Sequence, residues 1–446
     1  MLDLLLIILF CVTGVSLGII TGLLPGLHVN NVALIMVSLS SGIVAVCSPL
    51  FAYGISDQFI LMLIAGFMIS VSISHSFHDT IPSTFIGAPE EETALSVLPA
   101  HSLLLKGEGY KAVALAALGS YGAILVCLAF LYPLRFIIGP PLSLYDTMQE
   151  VMIWFLLAIV ILMISTEKTR ITDFGSSGKL PSLLGMIFAA FVFVLSGIFG
   201  IIIFDVHLTS PIGLPAPVLF PALAGLFGVP PLLTSLVTKP AIPEQKVEPF
   251  IQNRIEKKSS FFSILIGSFA GIFVSLIPGL TTATGTVLAM NARQKSSQEQ
   301  TIVTLSAVNT AATFSVTMML FIIQRARSGV TLAVRDMITI EPWDSFAMPM
   351  GVIYLLMFLI LSGALSFFLT LYIGRLFARK FHVIPYQKLV VFTLLFVCVL
   401  VVLFTGVLGL IVLLVATSIG FLPLCWGVRR SHCMGVLLIP IILYFL

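Results

Sequence analysis

From Leu389 to Leu424 the chain is apolar without interruption, long enough to cross a ~30 Å hydrocarbon layer twice as helices. Similar runs extend over Leu4–Leu23, Val32–Leu50, Phe59–Ser74, Ala112–Leu134, Val151–Ser165, Leu183–Phe204, Val218–Val237, Phe261–Ile277, Ile302–Ile323 and Met348–Leu371. Charged residues are 9% of the chain and hydrophobic residues 59%, whereas a soluble domain carries about 25% charged residues. No water-soluble core can hide so much apolar surface, and the period-two alternation of a β-barrel is absent. The expected fold is an all-α polytopic membrane protein of about 11–13 transmembrane or re-entrant helices.

Two segments far apart nearly repeat one another. Gly18-Ile-Ile-Thr-Gly-Leu-Leu-Pro-Gly-Leu27 and Gly271-Ile-Phe-Val-Ser-Leu-Ile-Pro-Gly-Leu280 each end an apolar run in Pro-Gly, and Gly14 and Gly267 hold matching places before them. Apolar composition alone does not produce a shared glycine spacing, so the pair reads as an internal duplication. The expected organisation is a first transmembrane repeat over residues 1–240, a cytoplasmic linker over 241–258 and a second repeat over 259–446. Gly/Pro-interrupted segments at corresponding places are the best sequence pointer to a transporter's binding site.

The polar segments suggest a topology. Glu167–Lys179 and Lys239–Lys258 are rich in Lys and Arg and are placed in the cytoplasm, while Asp205–Pro211 and the acidic Asp146–Glu150 loop suit the outer face. A basic stretch from Arg375 to Lys388 precedes two further spans, with Gly406 and Gly409 near their turn. Basic residues flank the hairpins of both halves, which leans towards parallel repeats; inverted repeats stay open. The first apolar run lacks a basic leader and a cleavage site, so a retained helix is expected. The six cysteines have no ligand spacing, and a net charge of +3 is too small to suggest nucleic acid.

Proline removes a backbone donor and glycine takes left-handed conformations, so Pro25-Gly26 and Pro278-Gly279 are expected to stop helices inside the membrane. Such backbone is tolerated only where protein or a water-filled cavity surrounds it. Polar residues follow each break: His28, Asn30 and Asn31 in the first copy, Thr281, Thr282, Thr284 and Thr286 in the second. With the freed amides of a helix start, these are candidates to hold an anion or a coupling cation; ordinary helix capping is the structural alternative.

A second polar stretch, Ser72–Thr84, carries His75, His78 and Asp79, with a weak counterpart in Ser306–Thr317, where Asn309-Thr310 matches Asp79-Thr80. Ionisable groups inside a membrane are costly and are functional candidates by default, which makes Asp79 and Asn309 the candidates for ion coupling. Glu90–Glu92 after Pro89 read as a routine helix start. Arg325 and Arg327 can offer a fork to a carboxylate or phosphate, or anchor the chain at the membrane surface.

The stretch Leu98-Pro-Ala-His-Ser-Leu-Leu-Leu-Lys-Gly-Glu-Gly-Tyr-Lys-Ala-Val-Ala-Leu-Ala116, with the Pro-Gly segment and Gly87-Ala-Pro before it, resembles the large membrane subunit of tripartite tricarboxylate transporters, the TctA family. Val308-Asn-Thr-Ala-Ala-Thr and Arg325-Ala-Arg-Ser-Gly resemble its archaeal DUF112 branch. The resemblance implies ion-driven secondary transport, with an extracytoplasmic binding protein and a small membrane subunit as partners.

The expected function is a permease of the cell membrane that moves a small organic anion with Na⁺ or H⁺ coupling. No other cofactor, no catalytic residue and no metal site are expected, and a nucleotide-driven engine is excluded by the missing GxxxxGK[ST] loop. The alternatives are a polyprenyl or lipid-phosphate translocase, an intramembrane metal-dependent hydrolase built on His75, His78 and Asp79, and a non-transporting scaffold.

Overall fold

The computed structural model describes residues 2–24, 29–86, 97–169, 179–211, 218–238, 243–248, 253–277, 282–292, 297–380 and 386–446; several residues within these, Asn30, Asn31 and Thr284 among them, are described in backbone only. The first half contains α1 (Leu2–Leu23), α2 (Val29–Val46), α3 (Asp57–His78), α4 (Thr80–Phe85), α5 (Val97–Leu104) and α6 (Gly109–Ile138). It continues through α7 (Leu144–Glu150), α8 (Met152–Ser165), α9 (Lys179–Phe204), α10 (Leu219–Leu223) and α11 (Val229–Thr238). The second half contains α12 (Arg254–Leu276), α13 (Thr282–Ala292), α14 (Gln298–Ile322), α15 (Gly329–Met337), α16 (Met350–Lys380), α17 (Tyr386–Cys425) and α18 (Gly435–Phe445). Among the described residues nine helices are long and apolar enough to cross a membrane, or ten if the bent pair α7–α8 is one span.

That tally takes α17 as one span, yet α17 is a hairpin. Gly406 has φ +68°, and a Cβ at Gly409 would lie 3.1 Å from Val401, eight positions back. The two limbs run in opposite senses against the α10–α11 rod: on the first, Phe220 meets Phe404 while Leu232 and Leu236 cluster with Val390 and Leu394, and on the second, Gly225 meets Leu413 while Pro230 meets Gly420. The expected turn near Gly406 is therefore where the chain folds back.

Glycine seams hold the core. A Cβ on Gly14, Gly18 or Gly22 of α1 would come 2.7, 2.7 and 2.9 Å from the carbonyl oxygens of Phe67, Val71 and His75. On α12, a Cβ on Gly267 or Gly271 would come 2.6 and 2.5 Å from those of Thr304 and Val308. Small residues let two backbones approach this closely where lipid supplies no hydrophobic drive between helices. In both pairs the contacts climb together, so α1 lies parallel to α3 and α12 parallel to α14.

Contacts between the halves fix the remaining directions. Gly66 meets Phe358 and His78 meets Thr370, so α3 and α16 are parallel. Gly363 meets Ile124 and Gly374 meets Val113, so α16 and α6 are antiparallel. Lys111 pairs with Glu299 and Gly139 meets Ile322, so α6 and α14 are parallel. It follows that α3 and α14 run in opposite senses, and the α1–α3 pair points against the α12–α14 pair.

One end of the bundle gathers Lys106, Lys111, Arg254, Lys257, Arg375 and Arg379. Here α12 begins at Arg254, within the expected linker, because Asn253 and Glu256 form a capping box. Gln245 straps the preceding segment to the first half, its Oε1 accepting from the Gly109 amide at 2.9 Å. At the same end the Glu167 carboxylate receives Arg429 Nε at 2.6 Å and His432 Nε2 at 2.7 Å. Burial pushes this carboxyl's pKa up, but His432 and Arg429 together outweigh it and hold the group below its ordinary value.

Candidate functional site

Asp79 and Asn309 meet in the buried interior, between α3 and α14. Asn309 Nδ2 lies 3.5 Å from Asp79 Oδ2, a contact between α3 and α14, and the two residues are 1% and 3% exposed. A carboxylate so buried must be paired, solvated by fixed dipoles or neutralised. The side-chain oxygen Oδ1 of Asn309 and the hydroxyl of the neighbouring Thr310 are buried without a hydrogen-bond partner, so oxygen atoms able to take a ligand lie at and beside the contact.

Two histidines complete the layer on α3. His75 Nδ1 lies 3.1 Å from Thr21 Oγ1 of α1. His78 Nδ1 lies 2.7 Å from the Ser74 carbonyl, which only accepts, so Nδ1 carries the proton; in the neutral ring Nε2 then accepts from Thr370 of α16 at 3.3 Å. Among the described residues no three His, Cys, Asp or Glu side chains are grouped to hold a metal ion. His75 is tied to α1 and His78 to α16.

The ends of α1 and α12 flank this layer. Gly22 abuts the backbone amide of Asp79, 3.1 Å from a built Cβ, and Gly271 abuts the carbonyl of Val308, beside Asn309. The breaks themselves, Pro25, Gly26, His28, Pro278, Gly279 and Thr281, lie outside the described residues, as do Glu90–Glu92. Asn30 and Asn31 fall in the first turn of α2, and Thr284 near the start of α13. The Thr282 hydroxyl oxygen is buried without a partner.

The expected correspondence of Asn309 with Asp79 needs correction. Gly18 meets Val71 as Gly271 meets Val308; counting on from those two valines, Asp79 falls opposite Val316, and Asn309 opposite Ser72. The pair nevertheless touch because α3 and α14 are antiparallel, so residues at equal depth are not residues at equal repeat position. Sequence reading missed Thr21 and Thr370, since one threonine within an apolar run carries no signal of what it faces. It left Arg327 between two roles: the guanidinium donates to the Ser275 carbonyl at 2.6 Å and to Tyr145 Oη at 3.1 Å, steadying the last turn of α12 before its break.

An all-helical, multi-pass bundle holding a carboxylate and two imidazoles in its lipid-shielded core has the build of a membrane transport protein. The chain belongs to the tripartite tricarboxylate transporter TctA family, whose sequence profile matches residues 8–435. It is 28% identical over 449 aligned positions to the uncharacterized protein MJ1079 of the archaeon Methanocaldococcus jannaschii, covering 98% of this chain and 99% of that one. No solved structure matches.

Proposed function

We propose that this protein is a secondary transporter of the cell membrane that moves a small organic anion, a carboxylate being the favoured class, with Na⁺ or H⁺ bound at the Asp79–Asn309 layer. The observation that carries the reading is the buried contact of Asp79 with Asn309 across two antiparallel helices of different halves. A proton on Asp79 or a cation bound beside it changes the electrostatics of this buried contact, so occupancy of the layer changes the energy of the α3–α14 contact. Oppositely directed halves meeting at a central site are the geometry of alternating access in inverted-repeat transporters. On this reading the repeats are inverted rather than parallel, the basic end is cytoplasmic, and the Pro-Gly breaks supply helix-start amides to the cargo. Family membership supports an extracytoplasmic binding protein and a small membrane subunit as partners.

The test is uptake by proteoliposomes of labelled mono-, di- and tricarboxylates, with Na⁺ and H⁺ gradients imposed separately. Accumulation under one gradient, lost in Asp79→Asn, is expected. Undiminished gradient-driven uptake by that variant would remove the coupling role.

A further inference from the structure

Arg135, in the last turn of α6, and Trp343, in the non-helical segment between α15 and α16, are each 1% exposed and are locked to one another, Arg135 Nε donating to the Trp343 carbonyl at 2.9 Å. Arg135 Nη1 donates to the Pro140 carbonyl, and the guanidinium lies 4.7 Å from the Phe136 ring centroid. The remaining prong, Nη2, is buried without an acceptor, and so is the indole Nε1 of Trp343. No carboxylate pairs with Arg135 among the described residues, and the neighbours Glu341 and Asp344 are exposed.

This is an unusual pair to bury. Guanidinium cannot shed its proton, so its charge must be met where it sits. Two carbonyls, an aromatic face and the negative end of the α6 dipole offset part of that charge and carry no net charge of their own. Two strong donors, buried on hydrogen-bonded neighbours and lacking acceptors, call for an acceptor that the described residues do not supply, and an anionic oxygen is the one that also meets the charge. We infer that Arg135 Nη2 and Trp343 Nε1 bind the carboxylate of a small anion at the end of the bundle opposite the basic one.

The site is distinct from the Asp79–Asn309 layer. Gly139 packs on Ile322, thirteen residues along α14 from Asn309, or about 20 Å of helix. On the outer side Phe346, 77% exposed, lies against Tyr132 and Phe136, its ring centroid 5.8 and 6.1 Å from theirs, and Tyr132 meets the Trp343 ring at 5.3 Å. The placement suits a holding site for an anion on the face away from the cytoplasm.

The experiment uses the full chain in detergent with Trp154→Phe and Trp426→Phe, leaving Trp343 as the sole remaining one of three tryptophans. Sodium acetate, sodium phosphate and neutral acetamide are titrated at constant ionic strength while Trp343 emission is read, and calorimetry follows acetate binding to Trp343→Phe in the unaltered background. Expected are a saturable response to acetate, none to acetamide, its loss in Arg135→Gln, and a roughly tenfold weaker acetate affinity in Trp343→Phe, which deletes one charge-assisted hydrogen bond. Should Arg135→Gln fail to fold, Trp343→Phe decides, because phenylalanine keeps an aromatic ring against Tyr132. Acetamide binding as well as acetate, phosphate binding in place of acetate, no saturable response, or undiminished acetate affinity in Trp343→Phe would each overturn the assignment.

Discussion

The α1–α3 and α12–α14 pairs share one scaffold and differ in what they carry. Both are parallel helix pairs zipped by glycines against main-chain carbonyls, with Val71 and Val308 in equivalent places. Past those valines the first pair presents Ser74, His75, His78 and Asp79, all buried, where the second presents Ala311, Ala312, Ser315 and the partly buried Val316. The second pair makes its contribution to the layer earlier, at Asn309. Among the described residues one half therefore supplies the ionisable groups of the layer and the other supplies neutral oxygen and amide groups, so the packing is duplicated and the chemistry is not.

Replacing Asp79 by Asn should break this asymmetry most severely. The protein should remain monodisperse on size exclusion and still bind cargo, while gradient-driven uptake falls to background. Asn309→Ala removes a neutral partner from the same contact, and uptake driven by the same gradient should fall about tenfold, as for one lost hydrogen bond near a charge. If the two variants were equally impaired, the division between an ionisable and a neutral half would not hold.

The shared scaffold predicts equal damage on both sides. Gly18→Leu and Gly271→Leu each drive a side chain into a facing backbone, and overpacking of this kind costs at least about 1–3 kcal/mol. Both should lower the thermal midpoint, whereas Gly42→Leu, whose built Cβ meets nothing within 4 Å, should not. A large shift at only one of the two seams would show that they are not equivalent.

Glu167, outside both pairs, tests whether the basic end depends on the same principle of burial. Its partners hold its carboxyl below the ordinary value, so its contribution is present above the unfolded pKa and is lost as pH falls through the lowered folded one. Glu167→Gln should cost about 3 kcal/mol near neutral pH, as for a broken buried ion pair, and the difference from wild type should shrink as the medium is acidified. Thermal unfolding across pH reads both. The smallest effect is expected from Glu91→Gln, at a helix start in the sequence reading, where transport should stay near wild type.

The sequence by itself determined the environment, the all-helical class and the family, because apolar runs of membrane length admit few other folds and because the matching residues are local. It also exposed the duplication, since glycines that admit a facing backbone must recur at helical spacing: Gly14 and Gly18 against Gly267 and Gly271. The hairpin at Gly406 was legible for the same local reason. Only the tertiary structure decided the opposed direction of the two pairs, since lysines and arginines report which end of a helix is wet and not which neighbour it lies against. The meeting of Asp79 with Asn309 out of repeat register, the roles of Thr21 and Thr370, and the burial of Arg135 beside Trp343 were likewise invisible in one dimension. Each depends on the depth at which antiparallel helices cross, a quantity set by packing between segments far apart in the chain.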